Sequence, residues 1–326
     1  MPEAKETQGQ VLLLATGGTI AGQGAAGGNP LEYTAGQVAV DDLAASIPER
    51  ERVLAGRELH LQTVAAMDSK DMDHATWQQL LAACLTGLSD PGVQSIVITH
   101  GTDTLEETAW FLRQCLPPIK PVILTCAMRP ATAQAPDGPA NLRDALAVSL
   151  DPRSCGVWLV CAGEVHAPER LSKVHPQRLD AFSSGESGPA GFVGPQGLLS
   201  LQVSTDDWPV PPLPWPELAA RLLSTPVKAW PAVAIWISHA GMDAAWLRAL
   251  MTVPLDGLVL ACTGNGTVHQ AIESVLDEAP AIRVVRSSRC VLGRVISSPE
   301  SRWPDSKGLN PGKARVQLML ELLAAR

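Results

Sequence analysis

Two short stretches bring hydroxyl side chains to the end of an apolar run. "ATGGTIAG" (15–22) carries Thr16 and Thr19, and "THGTDTLEETA" (99–109) carries Thr102 beside Asp103. A threonine hydroxyl is a weak nucleophile until a neighbouring group accepts its proton. Two hydroxyls and a carboxylate facing one crevice would suit acyl transfer, with backbone N–H groups at the turns stabilising an oxyanion. The glycines invite a different idea, a phosphate cradle. A Walker loop needs GxxxxGK[ST], and a dinucleotide loop needs GxGxxG followed by an acidic residue. Neither pattern is present: the chain has no lysine between Lys5 and Lys70, and Gly17, Gly18 and Gly22 have the wrong spacing. Gly17 and Gly18 instead read as residues that let the backbone pass close to a substrate at Thr19. Gly22, Gly24, Gly27 and Gly28 read as a flexible lid whose far end carries Tyr33, with Thr16 only ending the strand.

The elements that must position these groups show in the apolar pattern. Continuous apolar runs recur at 11–15, 95–99, 121–125, 157–161, 232–238, 257–261 and 282–286. Unbroken rather than alternating apolar character points to strands covered on both faces, as in a parallel sheet. Helical stretches lie between several of them, at 75–88, 104–116, 141–150, 242–251 and 267–277. That alternation predicts a three-layer α/β/α fold with a mainly parallel sheet. Both active stretches then lie at the carboxyl edge of the sheet, where open α/β sheets bind ligands. Asp103 with Glu106, and Thr104 with Glu107, have capping-box spacing at the start of the 104–116 helix, and Leu105, Ala109 and Leu112 give its inner face.

A length of 326 residues suits two domains. The segment 205–231, with seven prolines and three tryptophans, divides a larger domain (1–205) from a smaller α/β domain (231–326), and 206–230 reads as a linker. Net charge is −8, so the basic surface of a nucleic-acid binder is not expected, and small-molecule chemistry is. No apolar run reaches the ~20 residues of a membrane span. The opening "MPEAKETQGQ" is too polar for a secretory leader, and the seven cysteines form no CxxC pair. Reduced cysteines in a cytoplasmic protein are the expectation. The seven histidines show no HxxxH spacing, and the one HxxE, His166 with Glu169, contains Pro168, so neither metal nor cofactor is expected. His166 and His175 are expected at the surface.

The two threonine stretches resemble the two signature segments of the bacterial-type L-asparaginase family, which includes glutaminase-asparaginases. The similarity continues through "YTAG" (33–36), "DSKDM" (68–72), "AMRP" (127–130), "DGPANLRDA" (137–145), "LSK" (171–173), "GNG" (264–266), "VVRSSR" (284–289) and "LNPGKARV" (309–316). The family's fold, two α/β domains with the larger first, agrees with the reading above. The resemblance implies hydrolysis of L-asparagine to L-aspartate and ammonia through a threonyl ester, without a cofactor. It implies Thr19 as nucleophile, Tyr33 as its proton partner, and Thr102, Asp103 and Lys173 as a second catalytic set. A desolvated lysine facing a hydroxyl can serve as a base while a carboxylate holds it.

The substrate is a zwitterion, so its head group needs a carboxylate for the ammonium and donors for the α-carboxylate. The resemblance makes Asp103 the ammonium partner and Ser69 a donor. Asn265 and a late glutamate, which the count after Arg289 places at Glu300, would reach the pocket from the neighbouring subunit of a homodimer or homotetramer. Lys70 departs from the family, where glutamine is usual; it either pairs with the α-carboxylate or pairs with Asp71 and points away. Two other functions stay open: a glutaminase-asparaginase working on L-glutamine, and a non-catalytic amino-acid-binding homologue.

Overall fold

The computed structural model describes residues 9–25, 32–202, 213–278 and 281–326. It divides into two compact units, 1–205 and 206–326. The first unit begins with β1 (Gln10–Gly17), the short strands β2 (Gln23–Gly24) and β3 (Tyr33–Thr34), helices α1 (Val40–Ala45) and α2 (Arg50–Leu54), and β4 (Glu58–Met67). It continues with α3 (His74–Ser89), β5 (Val93–Thr99), α4 (Leu105–Cys115), β6 (Pro121–Thr125), α5 (Gly138–Ser149) and β7 (Gly156–Cys161). The short strands β8 (Glu164–His166), β9 (Ser172–Lys173), β10 (Phe182–Ser183), β11 (Gly191–Gly194) and β12 (Gly197–Leu201) complete it.

Eight strands form one sheet in the order β12-β11-β8-β7-β6-β5-β1-β4. The run from β7 to β4 is parallel, and β8, β11 and β12 add an antiparallel edge. The parallel strands are covered on both faces, which is why β5 and β6 read as unbroken apolar runs. Val11, Leu13, Ala15, Val97 and Ile123 pack toward α1 and α5. Their neighbours Leu12 and Ile96 turn the other way, close against Gly87 of α3. The expected three-layer arrangement with a mainly parallel sheet is what forms.

The second unit repeats the plan at smaller scale. Its elements are α6 (Trp215–Ser224), β13 (Val233–Ile237), α7 (Ala244–Leu250), β14 (Gly257–Cys262), α8 (Gln270–Asp277), β15 (Arg283–Ser288) and α9 (Pro311–Ala324). The three strands are parallel in the order β13-β14-β15. Leu247, Ile272, Val275 and Leu276 close one face of this sheet over Leu258 and Leu260.

The reading of 206–230 as a linker needs correction in its second half; residues 203–212 lie outside the described residues. Residues 215–224 are the helix α6, with proline in its first turn, where a missing N–H costs nothing. It buries Leu218, Ala219 and Leu222, and Arg221 Nη1 donates to the Leu323 carbonyl of α9 at 2.9 Å. The prolines start a helix here instead of preventing one.

Candidate active site

The site is built where β1 and β5 end side by side. Thr16 is buried at that edge, and its hydroxyl donates to the Thr99 carbonyl at 2.9 Å, tying the ends of the two strands together. β1 then turns through Gly17 (φ +99°) and Gly18 (φ +82°), a left-handed region that only glycine enters freely. The space these glycines leave is filled by protein, not by substrate as the sequence suggested. A Cβ on Gly17 would meet the Met67 backbone of β4 at 2.4 Å, and one on Gly18 would meet the Gly101 Cα at 2.3 Å. The two signature turns therefore touch backbone to backbone, and each delivers its threonine, Thr19 or Thr102, one residue later. Both side chains are buried.

Thr19 opens a single 3₁₀ turn, and its hydroxyl lies 2.6 Å from the Tyr33 hydroxyl. Tyr33 is brought there by the β2–β3 ladder, in which it pairs with Gly24. A Cβ on Gly22 would meet the Tyr33 ring at 2.7 Å. Gly22 and Gly24 thus seat the tyrosine, whereas Gly27 and Gly28, the centre of the expected lid, lie outside the described residues.

Thr102 faces the second set. Lys173 Nζ donates to Thr102 Oγ1 at 2.8 Å and to Asp103 Oδ1 at 2.6 Å. The lysine side chain is 18% exposed and Asp103 is half open to solvent, so the pair sits at the rim with its hydroxyl partner inside. Lys173 comes from the β9–β10 hairpin, whose strands have two residues each. Its own N–H donates to Glu106 Oε2 at 2.8 Å.

Ser69 is 2% exposed and sits beneath the "GTD" turn. Its Oγ accepts the Asp103 N–H at 3.1 Å, and its carbonyl accepts the Thr104 hydroxyl at 2.8 Å. The expected capping boxes do not form. Thr104 is the N-cap of α4 without a side-chain cap bond, because its hydroxyl is engaged by Ser69, and Glu106 serves Lys173. What holds α4 instead is burial: Trp110, Phe111 and Leu112 are inaccessible, Trp77 of α3 stacks on Phe111 at 4.8 Å, and the Trp77 indole donates to Thr108 at 2.9 Å. Such an aromatic pair adds roughly 1 kcal/mol beyond its buried area.

Lys70 is turned onto two carboxylates, with Nζ 3.0 Å from Asp68 and 3.0 Å from Asp71. Those hydrogen bonds, Asp71's first, raise its pKa. His166 is not a surface residue. It is 1% exposed, its Nδ1 lies 2.9 Å from Ser184 Oγ beside β10, and burial lowers its pKa to about 4. Its place at the end of β8, which is paired with β7 on one side and β11 on the other, encloses the ring. His100, directly before Gly101, is likewise buried and lowered to about 4 by desolvation, partly offset by its bond with the Gly101 carbonyl.

The second unit holds Asn265 and Glu300. Asn265 Nδ2 donates to the Ile296 carbonyl at 3.0 Å, and its Oδ1 accepts the Ile296 N–H at 2.7 Å. The side chain thereby clamps the segment that leads to Glu300, which is exposed on the turn closed by Ser298 and Ser301. Arg286 fixes the same segment from below, donating to Gly266 O, Trp303 O and Ser297 Oγ. Sequence reasoning missed Arg286 and misread Glu106; only the i+3 spacing of Glu106 from Asp103 singled it out, and that spacing pointed to a cap. Among the described residues, no three His, Cys, Asp or Glu side chains are grouped to hold a metal ion, and no helix is long and apolar enough to cross a membrane.

Comparison with known proteins matches this geometry to a family. The family model for the asparaginase N-terminal domain covers residues 10–203, and that for the glutaminase/asparaginase C-terminal domain covers 232–325. A glutaminase-asparaginase of Pseudomonas fluorescens biotype A is 32% identical, spanning 98% of this chain and 88% of the relative. L-asparaginase 2 of Escherichia coli is 32% identical over 96% of this chain and 88% of its own length. A probable periplasmic L-asparaginase of Haemophilus influenzae is 33% identical over 96% and 88%. A solved structure, the probable cytoplasmic L-asparaginase of Campylobacter jejuni, superposes with a TM-score of 0.85 at 30% identity, covering 97% of this chain and 95% of that one. With both domains matched in order and the two threonine turns joined at the sheet edge, the chain belongs to the asparaginase family of amidohydrolases.

Proposed function

We propose that the protein is an L-asparaginase that hydrolyses L-asparagine to L-aspartate and ammonia through an ester on Thr19. The observation that carries this reading is the pairing of each threonine with a proton-handling group: Thr19 with Tyr33 at 2.6 Å, and Thr102 with Lys173 at 2.8 Å, itself held by Asp103 at 2.6 Å. Thr19 Oγ attacks the side-chain carbonyl carbon while its proton passes through the Tyr33 hydroxyl, which hands its own proton on. The oxyanion is assigned to the N–H groups of Thr19 and Thr102, since those of Gly18 and Asp103 are committed to Met67 O and Ser69 Oγ. The C–N bond breaks and the proton goes to the leaving ammonia; water then attacks the ester carbon with Thr102 and Lys173 taking its proton, the bond to Thr19 Oγ breaks, L-aspartate leaves and the proton returns to the Thr19 oxygen. Asp103 binds the substrate ammonium, and Ser69, an acceptor toward the Asp103 N–H, keeps its own proton for the α-carboxylate.

Asn265 and Glu300 are assigned to substrate binding in a neighbouring subunit's site, within a homodimer or homotetramer. Lys70 belongs to the same head-group region. A cytoplasmic setting agrees with seven unpaired cysteines, five of them buried. L-Glutamine is assigned as a slower substrate, because one methylene of pocket room discriminates by only ~1–3 kcal/mol.

Ammonia release from L-asparagine is the direct test. Turnover by the wild type, abolished in Thr19→Ala and Lys173→Met, is expected, and mass mapping of a trapped ester should place it on Thr19. An adduct on Thr102 would reverse the two roles. Binding of asparagine by the wild type without ammonia release would make the protein a sensor instead.

A further inference from the structure

Lys173 reaches the site from a short hairpin, β9–β10. A hairpin of two-residue strands supplies only a couple of ladder bonds, and the lysine must reach 70 residues back along the chain to Asp103. A two-strand ladder of that size is not stable by itself. Its position therefore depends on what holds the hairpin against α4. The described bond that does so at Lys173 itself is the one from its N–H to Glu106 Oε2, 2.8 Å long and charge-assisted. Glu106 stands in the first turn of α4, three residues after Asp103 and four after Thr102. The two residues that receive the lysine's Nζ and the residue that receives its N–H thus belong to one rigid turn, backed by the buried Trp110 and Phe111.

We infer that Glu106 is a positioning residue for the amide hydrolysis: by accepting the Lys173 N–H it sets the lysine's backbone at the distance from which Nζ meets Thr102 and Asp103. The inference rests on the assignment of Lys173 to catalysis made above. Its physical content is geometric, not one of charge. A displacement near 1 Å in a reacting group costs about a hundredfold in rate, and the Lys173 N–H is where the first turn of α4 holds the lysine's backbone.

Length and charge can be separated at this site. Glu106→Gln keeps an oxygen acceptor at the same reach and removes the charge; Glu106→Asp keeps the charge and withdraws the acceptor by one methylene. The assay is steady-state ammonia release from L-asparagine on the full chain, with Lys173→Met in parallel and thermal melts to check folding. The expected order of kcat is wild type, then Gln within about threefold, then Asp and Ala lower by roughly ten- to a hundredfold, with KM changed far less. The pH profile of kcat in the Gln variant should keep the position of its limbs. Should Glu106→Ala fail to fold, the Gln and Asp variants alone decide the matter. If Asp retains kcat and Gln loses it, or the limbs move in Gln, Glu106 acts through charge and the positioning role is overturned. If Lys173→Met abolishes turnover while the Asp and Ala variants match the wild type, positioning fails and the catalytic assignment stands. If Lys173→Met is itself active, the assignment and the inference fall together.

Discussion

Gly101→Ala tests whether close backbone packing between the signature turns is what builds the site. Gly101 has no positive φ, so alanine meets no conformational penalty there and the effect is purely one of space. An added Cβ would lie 2.5 Å from Ser69 Oγ and 2.7 Å from Ser69 Cβ, with the Gly18 Cα at 3.1 Å. Rotating Ser69 about χ1 removes the first contact and leaves the second, so one of the two backbones must shift. Overpacking of this kind costs about 1–3 kcal/mol. Loss of the Ser69 to Asp103 N–H bond would add about 1 kcal/mol. For a unit of this size each kcal/mol lowers Tm by about 2–4 °C, so a fall of roughly 4–16 °C is expected. The same shift moves Asp103 and Thr102, and kcat/KM for asparagine should drop by about tenfold or more.

A second-site series separates packing from binding. Ser69→Ala removes Oγ but keeps the Cβ contact, whereas Ser69→Gly removes both. Gly101→Ala should therefore cost less stability when added to Ser69→Gly, where only the 3.1 Å approach to the Gly18 Cα remains, than when added to Ser69→Ala, each double variant being judged against the corresponding Ser69 single variant. Activity should stay low in both double variants because the donor hydroxyl is gone. Differential scanning calorimetry and initial rates suffice. A Gly101→Ala protein with wild-type Tm and wild-type kcat/KM would refute the packing argument.

The remaining predictions concern single groups. His100 is held neutral by burial, its pKa down from 6.5 to about 4; the unfolded chain therefore takes up the proton first as pH falls. Its stability contribution is complete above pH ~6.5 and is lost on acidification toward pH ~4, a loss of about 2 kcal/mol by pH ~5. Urea unfolding at neutral pH and near pH 5 should show the loss in the wild type and a shallower one in His100→Gln; an unchanged slope would sink the assignment. His166 titrates in the same direction, with Glu164 at 3.4 Å recovering part of the cost once it is charged. Tyr33→Phe removes the 2.6 Å partner of Thr19 and should lower kcat by ~10²–10⁴ with little change in KM, which a rate near wild type would contradict. Lys70→Gln should leave KM for asparagine within about twofold, because its ammonium is already shared between Asp68 and Asp71; a tenfold rise would place it on the substrate.

What could be read from the chain followed the range of the physics involved. Strands β1, β5, β6, β7 and β14 are buried on both faces, and burial writes itself into residue type, so the apolar runs located them. β4 was missed because it is the sheet edge: its alternating, half-exposed "ELHLQTVAAM" carries polar residues that no buried strand would tolerate. α9 was missed as a helix for the opposite reason, since Ala314, Val316, Leu318, Met319 and Leu320 bury it nearly all round and erase the polar face that marks a surface helix. In the site, residue types gave the chemistry while their partners stayed hidden. Gly17 and Gly18 are glycine because Met67 and Gly101 come within 2.4 Å of where a Cβ would stand, a closeness set by the register of β1 against β4 and β5. Glu106 shows the same limit from the other side. Its spacing from Asp103 is the local signal of a cap, and locally a cap would form; the N–H of Lys173, 67 residues along the chain, offers a partner that local spacing cannot encode. The turn that carries Thr102 and Asp103 thus holds a distant hairpin through the same acid whose local spacing suggests a cap, and that tie exists only between segments far apart in the chain.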